Sequence, residues 1–169
     1  MFCRWHLCLG KKRGPKVGKT KRGKGSKLMV LVDGNGTPLG VHVDSASPAE
    51  VRLLKPTMDN VCVAGKRGRP RSKPERLVLD RAYDSNPERK RLDASGIEPI
   101  IPARRNNKKA THQDGRKLRR YRRRWIVERT NAWLQNFRRL VVRYERSAEI
   151  YEGLVHLACA LITLRRVLK

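Results

Sequence analysis

Apolar residues gather into short β-rich runs in the first two thirds of the chain. The runs LMVLV (28–32) and LGVHV (39–43) flank DGNGTP, whose glycines and Asp33 suit a tight turn. This pattern predicts an antiparallel hairpin. Because LMVLV is apolar without alternation, it is expected to be buried on both faces. Two later runs, RLVLD (76–80) and IEPIIP (97–102), predict two more short strands.

A helix-start pattern follows the hairpin. Ser47 is a typical N-cap residue, Pro48 suits the first helical position, and Glu50 stands at the capping-box position. The predicted helix continues to about residue 60, with Pro56 ending or bending it.

Helical periods dominate the rest of the chain. They predict three further helices, at 87–95, about 115–140 and about 147–168. Strands interleaved with helices predict an α/β domain whose sheet mixes antiparallel and parallel pairs. Function in such sheets tends to collect at the carboxyl ends of the parallel strands, where Asp80 ends RLVLD.

The last predicted helix has apolar residues at helical intervals. This stripe is expected to pack on the sheet or on the preceding helix, and dimerisation is the alternative. Its members are Ile150, Leu154, Leu157, Leu161, Leu164 and Leu168.

The charge of the chain gives information about its binding partner. Lys and Arg number 41 against 15 Asp and Glu, which gives a formal net charge of +26. Such an excess predicts a polyanionic partner, with nucleic acid ahead of an anionic membrane surface. The longest apolar stretch, LVHLACALITL (154–164), is too short to cross a bilayer.

The first 27 residues are predicted to form an irregular basic segment, and residues 28–169 to form the folded domain. Residues 11–27, KKRGPKVGKTKRGKGSK, combine basic residues and glycines without an apolar period. We expect them to follow a phosphate backbone without reading bases. The candidate DNA contacts in this segment are Lys19, Lys21, Arg22 and Lys24.

The four cysteines lack a CxxC pair, which is typical of a reduced, cytoplasmic protein rather than a disulfide scaffold. Cys3, His6 and Cys8 match no standard zinc spacing, so they are interpreted as incidental residues of a loose terminus.

Two acids are candidates for chemistry, and each has a simpler alternative. Asp80 is either a turn-forming or capping residue or a metal-ligating carboxylate at the sheet edge. Glu128 is either an intrahelical partner of Arg124 or a second metal-ligating carboxylate. Clustered carboxylates suit the two Mg²⁺ or Mn²⁺ ions that assist phosphoryl transfer, and arginines hold phosphates without competing for metal.

Helix geometry places Glu128 at the border of a buried face. At about 100° per residue, a broad apolar face collects Leu118, Trp125, Ile126, Trp133, Phe137 and Leu140. A narrow polar stripe beside that face collects Tyr121, Arg124, Glu128 and Gln135.

Four stretches of the sequence carry a family resemblance: KKRGPKVGKTKRGKGSKLMVLVDGNGTPLG, LVLDRAYDS, GIEPIIPAR and YRRRWIVERTNAWLQNFRRLVVRYER. They resemble bacterial insertion-sequence transposases of the DDE type, in the insertion-sequence-five group. The most specific part of the family pattern is Tyr, two residues, Arg, three residues, Glu, six residues, Lys. Tyr121, Arg124 and Glu128 match it, and Gln135 stands where the lysine is expected.

The resemblance implies an RNase H-like fold with flanking helices, Mg²⁺ or Mn²⁺ as cofactor, and cleavage and strand transfer at transposon ends. It implies that Asp80 and Glu128 are the second and third acids of a catalytic, metal-binding triad. Tyr121 and Arg124 would orient the glutamate or contact DNA, and Arg120 and Arg123 are further candidate DNA contacts.

The first acid of the triad is missing from its expected place. In this family it lies on a strand just before the lysine-glycine segment, which corresponds to MFCRWHLCLG (1–10) or to a preceding stretch. Residues 1–10 contain no Asp or Glu. Asp33 lies in a predicted turn and Asp44 follows the next strand, so both are poor substitutes. The sequence predicts a catalytic domain incomplete at its N-terminus, with no first Asp found.

The expected function is DNA transposition, by a transposase domain that binds transposon-end and target DNA and is inactive alone. It would be a truncated or frameshifted remnant, or one piece of a two-piece element. Expected partners are DNA, the upstream half of the transposase or a second copy, with no membrane, at the nucleoid in the cytoplasm. The alternative is a non-catalytic basic nucleic-acid-binding protein or a regulator of full-length transposase.

Overall fold

The computed structural model describes residues 1–10, 14–21, 23–65, 67–104 and 115–168. These residues form a single mixed sheet with helices on both faces. The strands are β1 (Phe2–Gly10), β2 (Gly18–Thr20), β3 (Gly23–Val32), β4 (Pro38–Ser45), β5 (Arg76–Val78), β6 (Glu98–Ile100) and β7 (Val142–Arg143). The helices are α1 (Glu50–Asp59), α2 (Asn86–Ala94), α3 (Gly115–Leu118), α4 (Trp125–Gln135), α5 (Arg138–Val141) and α6 (Ala148–Val167).

The sheet has β1 near its centre. The strands β4, β3, β1, β5 and β6 follow one another across it, while β2 also pairs with β3 and β7 with β1. The β3–β4 hairpin is antiparallel, whereas β1, β5 and β6 run parallel. The predicted α/β fold with a mixed sheet is therefore confirmed, and Leu28 to Val32 are buried on both faces as expected.

The prediction that residues 1–27 are irregular is wrong. β1 pairs antiparallel with β3 from Phe2 to Leu9, and β2 and β3 form a second hairpin over Gly18–Gly25. Phe2 and Cys8 pack on one side of the sheet and Cys3 packs on the other. The sheet thus contains a central strand where the sequence predicted none, because Arg4 and His6 interrupt its apolar pattern.

Two apolar cores lie on opposite faces of the sheet. One joins the sheet to α4 and α6, through residues such as Val30, Val78, Ile126, Leu134 and Val155. The other joins it to α1 and α2, through residues such as Met29, Leu31, Leu54, Leu79 and Leu92.

Two helix predictions need correction at their ends. α1 begins at Glu50 with Ala49 as N-cap and without a capping side chain, and Pro56 lies inside the helix. Ser47 is not the cap because it lies two residues before Ala49, and its hydroxyl is instead 3.4 Å from the Lys19 carbonyl, to which it donates.

The predicted 115–140 helix is broken. Arg119–Arg124 is a 3₁₀ helix between α3 and α4, and Asn136 and Phe137 separate α4 from α5. Residues three apart align along a 3₁₀ helix, so Tyr121 and Arg124 project from the same side.

The buried stripe of α6 is not the predicted one. Tyr151, Val155, Ala158 and Ile162 are buried against the sheet and α4, whereas Leu154 is only partly buried. The other predicted members are exposed: Ile150, Leu157, Leu161, Leu164 and Leu168. The helix packs on the elements expected, but with a neighbouring face. None of the described helices is long and apolar enough to span a membrane.

Candidate active site

Strand register places Arg4 beside Asp80. β1 and β5 are parallel, and Phe2 is the partner of Val78. Both residues contribute to the core beneath α4. Side chains alternate along strands, so two residues further on Arg4 and Asp80 face the same way. A basic and an acidic side chain therefore project together at the carboxyl end of β5.

Glu128 reaches the same place from α4. Ile126 and Val127 anchor the helix in the core. The Thr130 hydroxyl donates to the Gly36 carbonyl at 2.7 Å, which fixes α4 on the β3–β4 turn. Gly36 has a φ of +89°, and a Cβ there would lie 3.0 Å from the Thr130 hydroxyl. This turn thus needs glycine both for its conformation and for the close approach of α4.

Arginines join the two acids into one network. Arg124 donates from Nη1 to Asp80 Oδ2 at 3.0 Å and lies 2.9 Å, through Nη2, from Glu128 Oε1. The Arg4 guanidinium donates to the same oxygen of Glu128. We refer to Arg4, Asp80, Arg124 and Glu128 as the acid-pair cluster. Its members come from β1, the end of β5, the 3₁₀ helix and α4, so the fold assembles it from four separate segments.

The simpler alternatives for both acids are also present. Asp80 caps the short 3₁₀ helix Arg81–Tyr83 by accepting the amide of Arg81 at 2.6 Å. Glu128 pairs with Arg124 one helical turn earlier. Neither contact explains why one arginine bridges two acids that are 48 positions apart in sequence.

Tyr121 supports the cluster from the 3₁₀ helix. Arg124 donates to its hydroxyl at 2.9 Å, and that hydroxyl lies 3.4 Å from Asp80 Oδ1, to which it donates. Burial, followed by the nearby charge of Asp80, raises the pKa of Tyr121. Tyr121 therefore contacts one of the two acids, Asp80, whereas Arg124 contacts both.

The acid-pair cluster opens onto a cavity of about 830 Å³. Arg4, Asp80 and Glu128 line it, together with Glu50 from the first turn of α1. Burial raises the pKa of Glu50; the charge of Asp80 raises it further, whereas the charges of Lys27 and Arg4 lower it. Arg4 therefore acts electrostatically on a third carboxylate, besides contacting Glu128.

Polar side chains extend the cavity along β1 and α4. The amide of Asn131 is buried, and neither of its side-chain atoms has a hydrogen-bond partner among the described residues. Gln135 lies 3.1 Å from His6 Nδ1, and burial lowers the pKa of His6. These groups leave unfilled hydrogen-bonding capacity next to the acids.

The other predicted DNA contacts lie at the surface. Arg120 and Arg123 are exposed, and Arg123 donates to the Gly34 carbonyl at 3.2 Å. Lys19, Lys21 and Lys24 are exposed on the β2–β3 hairpin. Arg22 lies outside the described residues.

The family described as "Transposase DDE domain" matches residues 5–163. The chain belongs to this family. It is 42% identical, over 159 residues, to a Burkholderia cepacia protein assigned as the transposase for insertion sequence element IS402. That match spans 90% of this chain and 72% of the relative.

The fold of this transposase domain is also found in a solved transposase. A cryo-EM structure of the piggyBac transposase synaptic complex with hairpin DNA has a TM-score of 0.58 and 11% identity. The likeness covers 94% of this chain but only 45% of the piggyBac chain. At that identity it shows a common RNase H-like fold.

The transposase family generally uses divalent metal ions, and the residues of this domain do not fit that requirement as they stand. No three His, Cys, Asp or Glu side chains of the described segments cluster closely enough to hold an ion. Asp80 and Glu128 are suitable oxygen donors, but guanidinium groups already contact both. Asp33 is no substitute, because its carboxylate accepts the amides of Asn35 and Thr37 at 2.8 Å within the turn.

Two residues of the site were missed by sequence reasoning. Arg4 lies in residues 1–10, which were expected to form a loose terminus. The weak alternation of Arg4 and His6 with Cys3, Trp5 and Leu7 is the strand signal that could have placed it. Glu50 was assigned to a capping box, a role that α1 does not use. The helix stripe of Tyr121, Arg124 and Glu128 was predicted, and these residues do lie together.

Proposed function

We propose that this transposase domain binds transposon-end DNA across the cavity beside Asp80 and Glu128, and that it does not cleave DNA alone. Asp80 and Glu128 would be the second and third acids of the strand-transfer site. The observation that carries the proposal is the Arg124 bridge between these two acids. It joins two family motifs at one cavity, whose charged walls come from four segments of the chain.

The surface charge supports a DNA partner. Lys19 and Lys24 are directly opposite one another in the β2–β3 hairpin, although like charges in that position destabilise a hairpin. A bound phosphate backbone would relieve this repulsion. The end of β1 connects the hairpin to the site, because Leu9 pairs with Gly25 and also lines the cavity.

The proposed lack of independent activity follows from Arg4. The family resemblance expects an acid within or before residues 1–10, and the structure has Arg4 facing Glu128 there. Binding of Mg²⁺ or Mn²⁺ by Asp80 and Glu128 therefore stays a prediction. The contact of Arg4 with Glu128 disfavours it. The same feature favours a second candidate function, a DNA-binding regulator of full-length transposase. An upstream half of the transposase or a second copy remains a proposed partner, and the nucleoid the proposed place of action.

Gel-shift titration tests the DNA-binding part. The probes are a duplex carrying the terminal sequence that flanks the coding region, and a scrambled duplex. Lys19→Ala with Lys24→Ala should weaken binding to both probes and reduce the salt slope by about two. Lys55→Ala is the matched control, because Lys55 is exposed on α1 and paired with Asp59. Equal effects of the hairpin and control variants would remove the hairpin from the DNA-binding surface.

Neutralising the acids separates the two candidate functions. If Asp80 and Glu128 belong to an end-binding site, Asp80→Asn with Glu128→Gln should reduce the preference for the terminal duplex over the scrambled one. A pure phosphate binder should bind both duplexes as well as before or more tightly, since two negative charges are gone.

A cleavage assay tests the proposed lack of activity. Supercoiled donor plasmid carrying both terminal sequences is incubated with the purified domain and Mn²⁺. We expect no nicked or linear product above that formed by the Asp80→Asn, Glu128→Gln variant. Efficient cleavage that this variant abolishes would refute the proposal that the domain is inactive alone.

A further inference from the structure

Arg4 lines the same cavity as the three acids Glu50, Asp80 and Glu128. It contacts Glu128 directly, projects beside Asp80 because of the β1–β5 register, and its charge lowers the pKa of Glu50. Two other cations also lower the pKa of Glu50. Lys27 donates to the Pro48 carbonyl at 2.7 Å, and Arg104 donates to the carbonyls of Arg81 and Ala82 at 2.9 and 2.7 Å. Arg4 is thus a basic side chain on β1 that contacts Glu128, projects beside Asp80 and acts on Glu50 through its charge.

A guanidinium and a divalent cation compete for such a position. Both bind carboxylate lone pairs, but the guanidinium is permanently charged and offers only hydrogen-bond donors. A bound Mn²⁺ would need the oxygens of Glu128 and Asp80, and would lie against two positive side chains, Arg4 and Arg124. Three carboxylates against two guanidiniums leave the cluster and Glu50 a single formal negative charge.

One substitution, Arg4→Asp, would make the charge of the cavity strongly negative. An Asp at position 4 would face the same way as Asp80, from the adjacent parallel strand, and towards Glu128 on α4. Four carboxylates would then stand against the one guanidinium of Arg124. Three of them would come from separate rigid elements, an arrangement that suits hard divalent ions.

We infer that Arg4 takes the place of a metal ion in this site: its guanidinium offsets part of the negative charge of the acids in the unchanged domain and excludes divalent cations, and Arg4→Asp creates a divalent-metal site with Asp80 and Glu128. This inference rests on the proposed function for the meaning of the two acids. Its test does not depend on DNA binding or cleavage.

Electron paramagnetic resonance of Mn²⁺ measures the effect directly, since bound Mn²⁺ loses the sharp signal of the free ion. We expect the Arg4→Asp domain to bind Mn²⁺ at least about tenfold more tightly than the unchanged domain, a difference of about 1.4 kcal/mol. Adding Glu128→Gln to Arg4→Asp should remove the gain. Arg4→Lys should show none, because it keeps the positive charge.

Two further variants make the result decisive. Arg76→Asp is the matched control, because Arg76 also pairs with a glutamate, Glu98, but at the surface end of β5; it should not gain Mn²⁺ binding. Arg4→Ser removes the guanidinium without adding charge and should give a smaller gain than Arg4→Asp. Circular dichroism checks folding, and Arg4→Ser decides the question if Arg4→Asp does not fold.

Two outcomes would overturn the inference. The unchanged domain could bind Mn²⁺ as tightly as Arg4→Asp and lose it with Glu128→Gln. Alternatively, folded Arg4→Asp and Arg4→Ser could show no gain. Gel shifts of the unchanged domain in EDTA are scored separately, so loss of DNA binding would refute the proposed function without deciding whether Arg4 excludes metal.

Discussion

Asp80 and Asp84 belong to the same motif, LVLDRAYDS, yet their surroundings differ sharply. The side chain of Asp84 is 1% exposed and pairs with Arg89, which is 8% exposed. Arg89 donates to its Oδ1 from Nε at 3.1 Å and from Nη2 at 2.8 Å, and the amide of Arg104 donates to Oδ2 at 2.7 Å. Asp80 is 39% exposed and shares Arg124 with Glu128.

The difference separates a structural ion pair from a candidate site. Arg89 comes five residues after Asp84, and it also donates to the Ile101 carbonyl at 2.7 Å, just after β6. Asp80 instead faces a cavity and depends on an arginine from another segment. Two aspartates four positions apart therefore differ in role: Asp84 stabilises the fold, whereas Asp80 remains open to a ligand.

The largest expected effect is on stability. Asp84→Asn should lower the free energy of unfolding by roughly 3 kcal/mol, because it leaves the buried Arg89 charge without its partner. Asp80→Asn should change it by less than about 1 kcal/mol, because its ion pair is partly exposed. Urea unfolding of both variants measures the difference. Equal losses would mean that Asp80 is as structural as Asp84.

Double-mutant cycles sharpen the comparison. The Asp84–Arg89 pair should show a coupling energy above about 2 kcal/mol, whereas Asp80–Arg124 should show about 0.2–1 kcal/mol. Added salt should weaken the second coupling more than the first, since buried pairs are screened less. A salt-insensitive Asp80–Arg124 coupling of similar size would contradict an open, ligand-ready cluster.

The smallest expected effect concerns Glu50, the acid that lines the cavity beside Asp80. Because its pKa is raised in the folded state, the charged form is disfavoured there. Its contribution to stability is fully present below the ordinary carboxyl pKa and is lost as pH rises through the raised value. Glu50→Gln should raise Tm at pH 7 by roughly 2 °C. The difference should vanish below the ordinary pKa; a constant difference at all pH values would exclude burial of the charge as its cause.

Local pattern was enough for several parts of the fold. The β3–β4 hairpin needs only its own apolar residues and turn glycines, and the stripe of Tyr121, Arg124 and Glu128 follows from helical spacing. Trp125 is 52% exposed rather than buried, and the Arg129 guanidinium lies 4.8 Å from the ring centres of both Trp125 and Trp133. Helical spacing shows which residues share a face of the helix, but it does not show how much of each side chain on that face stays exposed to solvent.

Long-range pairing explains what the sequence could not reveal. β1 is a strand because β3 and β5 flank it, and its own residues alternate too weakly to show this. The position of Arg4 in the site becomes clear only from the parallel register of β1 and β5, which brings it beside Asp80. The capping-box pattern offered a local explanation for Glu50, so there was no reason from sequence to place it in the cavity.

The most direct test of the account is a crystal structure of the unchanged domain soaked in Mn²⁺, collected at a wavelength that gives Mn²⁺ an anomalous signal. The account predicts no anomalous peak between Asp80 and Glu128, with the Arg4 guanidinium on Glu128, and a peak at that position in Arg4→Asp crystals. A peak between the two acids of the unchanged domain, with Arg4 displaced, would contradict it.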